Sequence, residues 1–208
     1  IESADAVVNL SGASLGRLPW LPGYKTEILR SRLQTAGTLA GAISSATSPP
    51  RVFLSASAVG FYGDRPGEVL TEASTQGNDF LSNVVEQWES AAQVTTEATR
   101  VVSLRTGLVL GAGGSVAPIV ALSKIGLGSR FGNGRANWPW IGLYDEAAAI
   151  CYLLTSALSG PVNLVGPVPA TSDEVTRYVA KKVGRPYLIR MRRWVILATL
   201  QEAGSALL

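Results

Sequence analysis

Ser55, Ser57 and Tyr62 lie close together in the stretch Phe53-Leu-Ser-Ala-Ser-Ala-Val-Gly-Phe-Tyr-Gly63. An apolar run, Arg51 to Leu54, empties there into small hydroxyl residues, and an aromatic-glycine turn follows. At the carboxyl end of a buried parallel strand, such hydroxyls supply donors and acceptors near a reacting carbon. Small side chains at the same place let a flat cofactor approach the backbone. The pattern equally fits an ordinary strand followed by a polar turn. Further along, Asp79 offers a carboxylate, although it also fits the N-cap of a helix opening at Phe80. Arg135 could take a phosphate or carboxylate, with Trp138 and Trp140 as an apolar wall for a substrate ring; plain surface charge is the alternative, and the more natural one for Lys124.

Composition removes several chemistries. The 208 residues contain no histidine and one cysteine, Cys151, so His-based triads, HExxH zinc sites, thiolate clusters and disulfide frameworks are excluded. A metal site is not expected. The net charge of +3 comes without a basic block carrying interleaved aromatics, which argues against nucleic acid as a partner. The densest basic run, Arg190-Met-Arg-Arg193, reads as a solvated face or a contact to an acidic neighbour segment. No apolar run approaches the roughly 18 residues that span a bilayer, and no secretory signal pattern is present. A soluble, reducing, cytoplasmic setting without membrane contact is expected. Apolar residues at 47% against charged residues at 16% allow a sizeable core.

The elements that must position these groups follow a βαβαβ rhythm. Strands are expected at Ala6–Leu10, Arg51–Ala56 and Arg100–Leu104, with helices over Tyr24–Ser45 and Asp79–Thr96 between them. That rhythm implies a parallel sheet with helices on both faces. Beyond it, Gly111–Gly114 reads as a flexible joint, Val116–Ile125 as a helix and Gly126–Asn137 as a turn-rich segment, whose glycines from Gly126 to Gly134 follow a helix rather than a strand and so read as a hairpin or loop, with a phosphate cradle as the alternative. Asp145–Ala157 is a helix, Pro161–Val165 a short strand and Ser172–Val183 an amphipathic helix.

A dinucleotide fold opens on a strand, a GxGxxG turn and a helix, and no such motif occurs here. The nearest approach, Gly12-Ala-Ser-Leu-Gly16, has the wrong spacing. The expectation is that residues preceding Ile1 in a parent protein supply the first half of a doubly wound sheet.

As an ordered series, the landmarks resemble the extended short-chain dehydrogenase/reductases, and within them the nucleoside-diphosphate-sugar epimerase-like, SulA-type branch. Those landmarks are Asp5-Ala-Val-Val-Asn-Leu-Ser-Gly-Ala13, Ile28-Leu-Arg-Ser-Arg32 with Thr35, Ser55 to Gly63, Asp79-Phe80 with Trp88-Glu89, and Arg105-Thr-Gly-Leu-Val-Leu-Gly111. Gly126-Leu-Gly128, Trp140-Ile141, Gly160-Pro-Val-Asn163, Gly184-Arg-Pro186 and Leu200-Gln-Glu202 continue the series to a C-terminal segment that stops at Leu208. The resemblance implies an α/β fold: a partial doubly wound parallel Rossmann sheet with a small C-terminal substrate lobe. The Rossmann part would comprise residues 1–110 and 141–166, and the lobe residues 111–140 and 167–208.

It also implies NADP or NAD as cofactor and a small-molecule substrate such as a nucleotide sugar, and it is compatible with a homodimer. Asn9, Leu10, Ser11, Gly12 and Ala13 would line the adenosine-ribose side, with Ser31 where related epimerases carry a helix asparagine. An ordinary helix surface is the alternative for Ser31 and Arg32. Ser55, Ala56 and Ser57 would flank the nicotinamide ribose. Arg105, Thr106 and Gly107 belong to the same cofactor set, with Thr106 to Val109 passing the nicotinamide face. Asp79, Phe80, Arg135, Trp138 and Trp140 are the substrate candidates.

The chain departs from this pattern where the wider superfamily places a catalytic tyrosine and lysine. Leu81 and Val85 stand there, and neither moves a proton. Ser57 is then the hydroxyl partner of the reacting oxygen, and Tyr62 the nearest phenol for acid–base work; packing under the substrate loop is its alternative. Gly142 and Tyr144 replace a histidine and an acidic residue of the family, leaving Asp145 as the matching carboxylate. Three readings follow: an NAD(P)-dependent oxidoreductase or epimerase, a non-catalytic NAD(P)-binding sensor, and an interaction piece without cofactor.

Overall fold

A computed structural model of the chain describes residues 1–111 and 113–205. Ala112, inside the expected joint, and the chain end at Leu208 lie outside the described residues. In chain order the elements begin β1 (Ala6–Asn9), α1 (Pro22–Ser44), β2 (Val52–Ala58), a 3₁₀ turn (Val59–Tyr62), α2 (Phe80–Ala91) and β3 (Arg100–Thr106). They continue β4 (Leu108–Leu110), α3 (Ala117–Lys124), β5 (Ser129–Phe131), β6 (Asn137–Trp138), β7 (Trp140–Gly142), α4 (Leu143–Thr155) and β8 (Gly160–Leu164). The last are β9 (Ala170–Thr171), α5 (Ser172–Lys182), β10 (Ile189–Met191), α6 (Arg193–Leu200) and α7 (Glu202–Ser205).

Two compact units result. The first takes Ile1–Ala13, Thr26–Gly107 and Tyr144–Leu164. The second takes Ser14–Lys25, Leu108–Leu143 and Val165–Leu208. Ser14–Lys25, expected within the Rossmann part, thus falls in the second unit. There Tyr24 Oη donates to Ser14 O at 2.5 Å, and Lys25 pairs with Glu202.

The first unit is built on a wholly parallel sheet of order β1-β2-β3-β8. Val52, Phe53 and Leu54 are all buried, as a central strand covered on both faces requires. Alternation puts Val7, Phe53 and Val101 on one face, because these residues lie opposite each other in register. Ala36, Ala40 and Ile43 of α1 and Trp88 of α2 close over Phe53 there. Arg100 and Thr106 point to the other face, and both reach α4: Arg100 Nη2 donates to Leu153 O at 2.8 Å, and Thr106 Oγ1 to Glu146 Oε1 at 2.8 Å. Helices therefore cover both faces. The α2 helix stops at Ala91 rather than running on to Thr96. The β-branched run Val94-Thr95-Thr96 gives up rotamer freedom in a helix and supplies no reason to continue it.

The second unit holds three two-stranded pairs, β4 with β7, β5 with β10, and β6 with β9. The stretch Gly126–Gly134, expected as a hairpin or loop, instead contains a short strand, β5, which pairs in parallel with the distant β10. Phe131, Trp138, Val175 and Ile196 form its buried cluster. Helix α5 opens on a capping box in which the Thr171 side chain and Glu174 satisfy each other's backbone N–H. No helix among the described residues is long and apolar enough to cross a membrane.

Phe53 is fully buried where α1, α2 and the sheet meet. Phe53→Ala is expected to cost about 3–5 kcal/mol, read as a lower midpoint in chemical denaturation with an unchanged slope.

Candidate functional site

The carboxyl ends of β1, β2 and β3 lie side by side along one edge of the first unit's sheet. Asn9 is opposite Ser55, and Ser57 and Ala58 are opposite Arg105 and Thr106. The residues singled out at three separate places in the sequence thus share an edge.

After β1 the chain turns at Leu10–Ala13, and two helix side chains fix that turn. Ser31 Oγ accepts from Ala13 N at 2.9 Å, while Arg32 Nη1 donates to Ala13 O at 3.1 Å. Both backbone groups of Ala13 are thereby satisfied from α1. A Cβ at Gly12 would stand 3.2 Å from the Arg32 guanidinium carbon, so the close approach favours glycine. Ser31 and Arg32 are anchors of the turn rather than bare helix surface. Asn9 is buried, its Oδ1 accepts from Ser11 N at 3.1 Å, and its Nδ2 has no partner among the described residues. A buried amide donor left unpaired at a strand end suits a ligand with polar edges, as a dinucleotide has.

Beneath the end of β2 lies a buried ion pair that sequence reading did not anticipate. Arg105 Nε and Nη2 donate to Glu89 Oε1 and Oε2, both at 2.8 Å. Their side chains are only 4% and 13% exposed. Ser57 Oγ donates to Glu89 Oε1 at 2.5 Å. Arg105 Nη1 donates to Tyr62 Oη at 3.0 Å, and Tyr62 Oη donates in turn to Asn163 Oδ1 of β8 at 2.6 Å. The guanidinium also lies 3.5 Å from the centroid of the Phe61 ring. Burial works against the Arg105 cation. The hydrogen bonds to Glu89 and Tyr62 outweigh that and hold its pKa above the ordinary arginine value.

The loop after Tyr62 is seated by backbone contact. Gly77 N donates to Phe61 O at 2.9 Å, and a Cβ on Gly77 would come within 2.7 Å of Tyr62 O. Glu72 Oε1 accepts from Asn163 N at 2.8 Å and ties the same loop to β8. An open cavity of ≈ 270 Å³ beside Tyr62 is lined by Gly63, Arg65, Thr75, Gln76 and Asn78 among others.

On the other face, Glu146 in the first turn of α4 is 8% exposed. Its Oε1 accepts from Thr106, and its Oε2 is buried without a partner among the described residues. Burial pushes its pKa up, against the smaller effect of the Thr106 hydrogen bond.

Several expected roles change. The Arg105 side chain, expected in the cofactor set, is committed to Glu89 and Tyr62. Trp138 is 8% exposed and stacked in the second unit's core, 6.0 Å from the Phe131 ring, which leaves no face for a substrate ring. Asp79 is the N-cap of α2, accepting from Ser82 N at 2.8 Å. Phe80 begins that helix half-buried. Ser55 is buried, Ala56 and Gly107 are half-buried, and Leu10 is exposed. In the second unit Val109 lies in β4, Trp140 in β7, and Arg135 is exposed with its N–H donating to Asn133 Oδ1 at 2.9 Å.

The sequence does carry a trace of what was missed. Glu89 sits beside Trp88 and four residues after Val85, on the buried face of α2, where an acid requires a cation. Glu146 likewise interrupts an apolar helix, and Asn163 an otherwise apolar strand.

A parallel sheet with helices on both faces, and a polar edge at the strand ends, defines a dinucleotide-fold protein. Residues 1–166 match the NAD dependent epimerase/dehydratase family, and the chain belongs to it. It is 36% identical over 205 residues to the epimerase family protein ML0860 of Mycobacterium leprae, covering 97% of this chain and 66% of that protein. It thus spans about two thirds of that relative's length. The human epimerase family protein SDR39U1, solved with NADPH, superposes with a TM-score of 0.93 at 33% identity, over 100% of this chain and 72% of that one. A nucleoside-diphosphate sugar epimerase from Corynebacterium glutamicum gives a TM-score of 0.72 at 30% identity, over 98% and 45% respectively.

Two variants test the site's physics. Glu89→Ala strands the Arg105 cation in a buried position and is expected to cost about 3–5 kcal/mol in denaturant unfolding. Glu146 has a raised pKa in the folded state, so its contribution is fully present below the ordinary carboxyl pKa and is lost as pH rises through the raised value. The melting temperature of Glu146→Gln relative to the natural protein is therefore expected to climb over that window and level off above it.

Proposed function

We propose that the chain works as an NADP(H)-dependent oxidoreductase or epimerase on a nucleotide sugar or similar small polar substrate, by hydride transfer. The support lies in the shared edge: Asn9, Ser57 and Thr106 end three adjacent parallel strands, and the human relative of the same fold holds NADPH. When bound, the nicotinamide supplies the hydride donor or acceptor. The second unit, carrying Arg135 and Trp140, serves as the substrate lobe. The single cysteine and the lack of a membrane-crossing helix among the described residues suit a cytoplasmic setting.

The chain's own residues orient and hold. Asn9 Nδ2 is the open donor at the end of β1. Ser57 has one hydroxyl proton, and Glu89 takes it. Its oxygen therefore offers lone pairs, and Ser57 accepts from a ligand hydroxyl rather than donating to a carbonyl. Tyr62 donates its hydroxyl hydrogen bond to Asn163 and accepts one from the Arg105 guanidinium. A phenol so held can act on substrate only by exchanging the Asn163 bond.

That commitment of both hydroxyl protons within the protein favours a second reading, a non-catalytic NADP(H)-binding module. Calorimetry with NADPH, followed by absorbance assays over a panel of nucleotide sugars, separates the two. NADPH binding is expected, and Ser57→Ala is expected to weaken binding or slow turnover by about 3- to 10-fold, as loss of one hydrogen bond does. Binding without turnover across the panel selects the module. Absence of NADPH binding removes both readings.

A further inference from the structure

Glu146 is a buried acid that the fold itself does not call for. Its Oε1 accepts from Thr106 Oγ1 at 2.8 Å, while Oε2 is buried with no partner among the described residues. Thr106 is flanked in register by Ala58 of β2 and Leu164 of β8, so the sheet surface on this side is otherwise apolar. No ion pair among the described residues reaches the carboxyl. The charged residues next to the pair in sequence are turned away. Asp145 is exposed, and Arg105 points to the opposite face, where Glu89 holds it. An apolar side chain of similar size would fill the place of Glu146 without burying an unpaired oxygen. A carboxyl kept in such surroundings at a strand end points to a working group.

The Thr106–Glu146 pair has two hydrogen-bonded states, because a hydroxyl has one proton and two lone pairs. With Glu146 ionised, Oε1 holds the Thr106 proton, and Thr106 has a lone pair to offer. With Glu146 neutral, its own O–H donates to Thr106. The Thr106 proton is then released toward Leu104 O, which lies 3.3 Å away, or toward a ligand carbonyl. Burial favours the neutral form, so the exchange falls at a higher pH than for an ordinary carboxyl. Ser57 has no such choice, since Glu89 is paired with Arg105 and keeps the Ser57 proton fixed. Thr106 is half-buried at the carboxyl end of β3, beside the end of β2.

We propose that Glu146 is a positioning residue for NADP(H): its protonation decides whether the Thr106 hydroxyl presents a lone pair or its proton to the nicotinamide carboxamide. The inference rests on the reading that NADP(H) binds at this edge of the sheet, and deepens it. A carboxamide has N–H donors and a carbonyl acceptor, so each state of Thr106 selects a different part of the same group.

Calorimetry with oxidised NADP and with its acetylpyridine analogue, on both sides of the Glu146 transition, tests this. The analogue carries a methyl ketone in place of the carboxamide and has no N–H there to donate. Taking the ratio of the two affinities at each pH cancels titration of the phosphates that both ligands carry. The ratio in favour of NADP is expected to grow about 3- to 10-fold as pH rises, the worth of one hydrogen bond. Glu146→Gln cannot ionise and Thr106→Val has no hydroxyl, so each is expected to give a ratio independent of pH. Thr106→Ser is expected to keep the rise. A purely structural Glu146 would change the melting temperature of Glu146→Gln and leave the rise in place. NADP binding with a flat ratio in the natural chain, or a rise that persists in Glu146→Gln or Thr106→Val, overturns the proposal and leaves the cofactor reading standing. Failure of both ligands to bind at every pH overturns the two together.

Discussion

The buried ion pair between Glu89 and Arg105 is the constraint on which the carboxyl edge of the sheet depends. It joins α2 to β3 across the end of β2, and Ser57 and Tyr62 are arranged around it. Two desolvated charges are costly in isolation, and the arrangement is tolerable only because each finds further partners. Glu89 receives both forks of Arg105 and the Ser57 hydroxyl. Arg105 adds Tyr62 and lies against Phe61. Through Tyr62 and Asn163 the order passes to β8, and through Glu72 to the loop that follows β2. Such closure makes the edge rigid, and it also fixes which way each hydroxyl proton points.

The two ends of this edge are stabilised by different means. Around Ser57, charge does the work. At the turn after β1, neutral backbone groups are satisfied instead: Ser31 takes the Ala13 N–H, and Arg32 reaches its carbonyl. Arg32 also lies 5.0 Å from the Trp88 ring centroid, so the helix residue pinning the β1 turn touches the helix that carries Glu89. The two halves of the edge are therefore set relative to each other by packing between α1 and α2, around the same cluster that encloses Phe53.

Much of this fold was legible in the sequence because periodicity and breakers report local structure. The β2 and β3 strands, α1, α4 and α5 fall within a few residues of their expected limits, and the parallel order follows from helices intervening between strands. What escaped was non-local. The β5–β10 pair joins residues sixty positions apart, and three-residue strands carry too little alternation to announce themselves. The ion pair escaped for a related reason: a helix acid and a strand-end arginine each look like surface charge until the fold places one against the other. Trp138 shows the converse error, since an aromatic residue near a lone arginine suggests a binding wall, whereas its burial makes it core.

Arginine is used in this chain in two opposite ways, and burial decides between them. At Arg105 desolvation would be prohibitive without a bidentate carboxylate, and Glu89 is held where it must be. Arg130 is part-exposed and makes do with a shared, longer contact to Asp173. Arg190, Arg192 and Arg193 are exposed enough for water to solvate them, so folding does not demand a counter-ion. Arg32, the other buried arginine, shows a further solution, with its guanidinium donating to the Ala13 and Ile28 carbonyls and lying against the Trp88 ring.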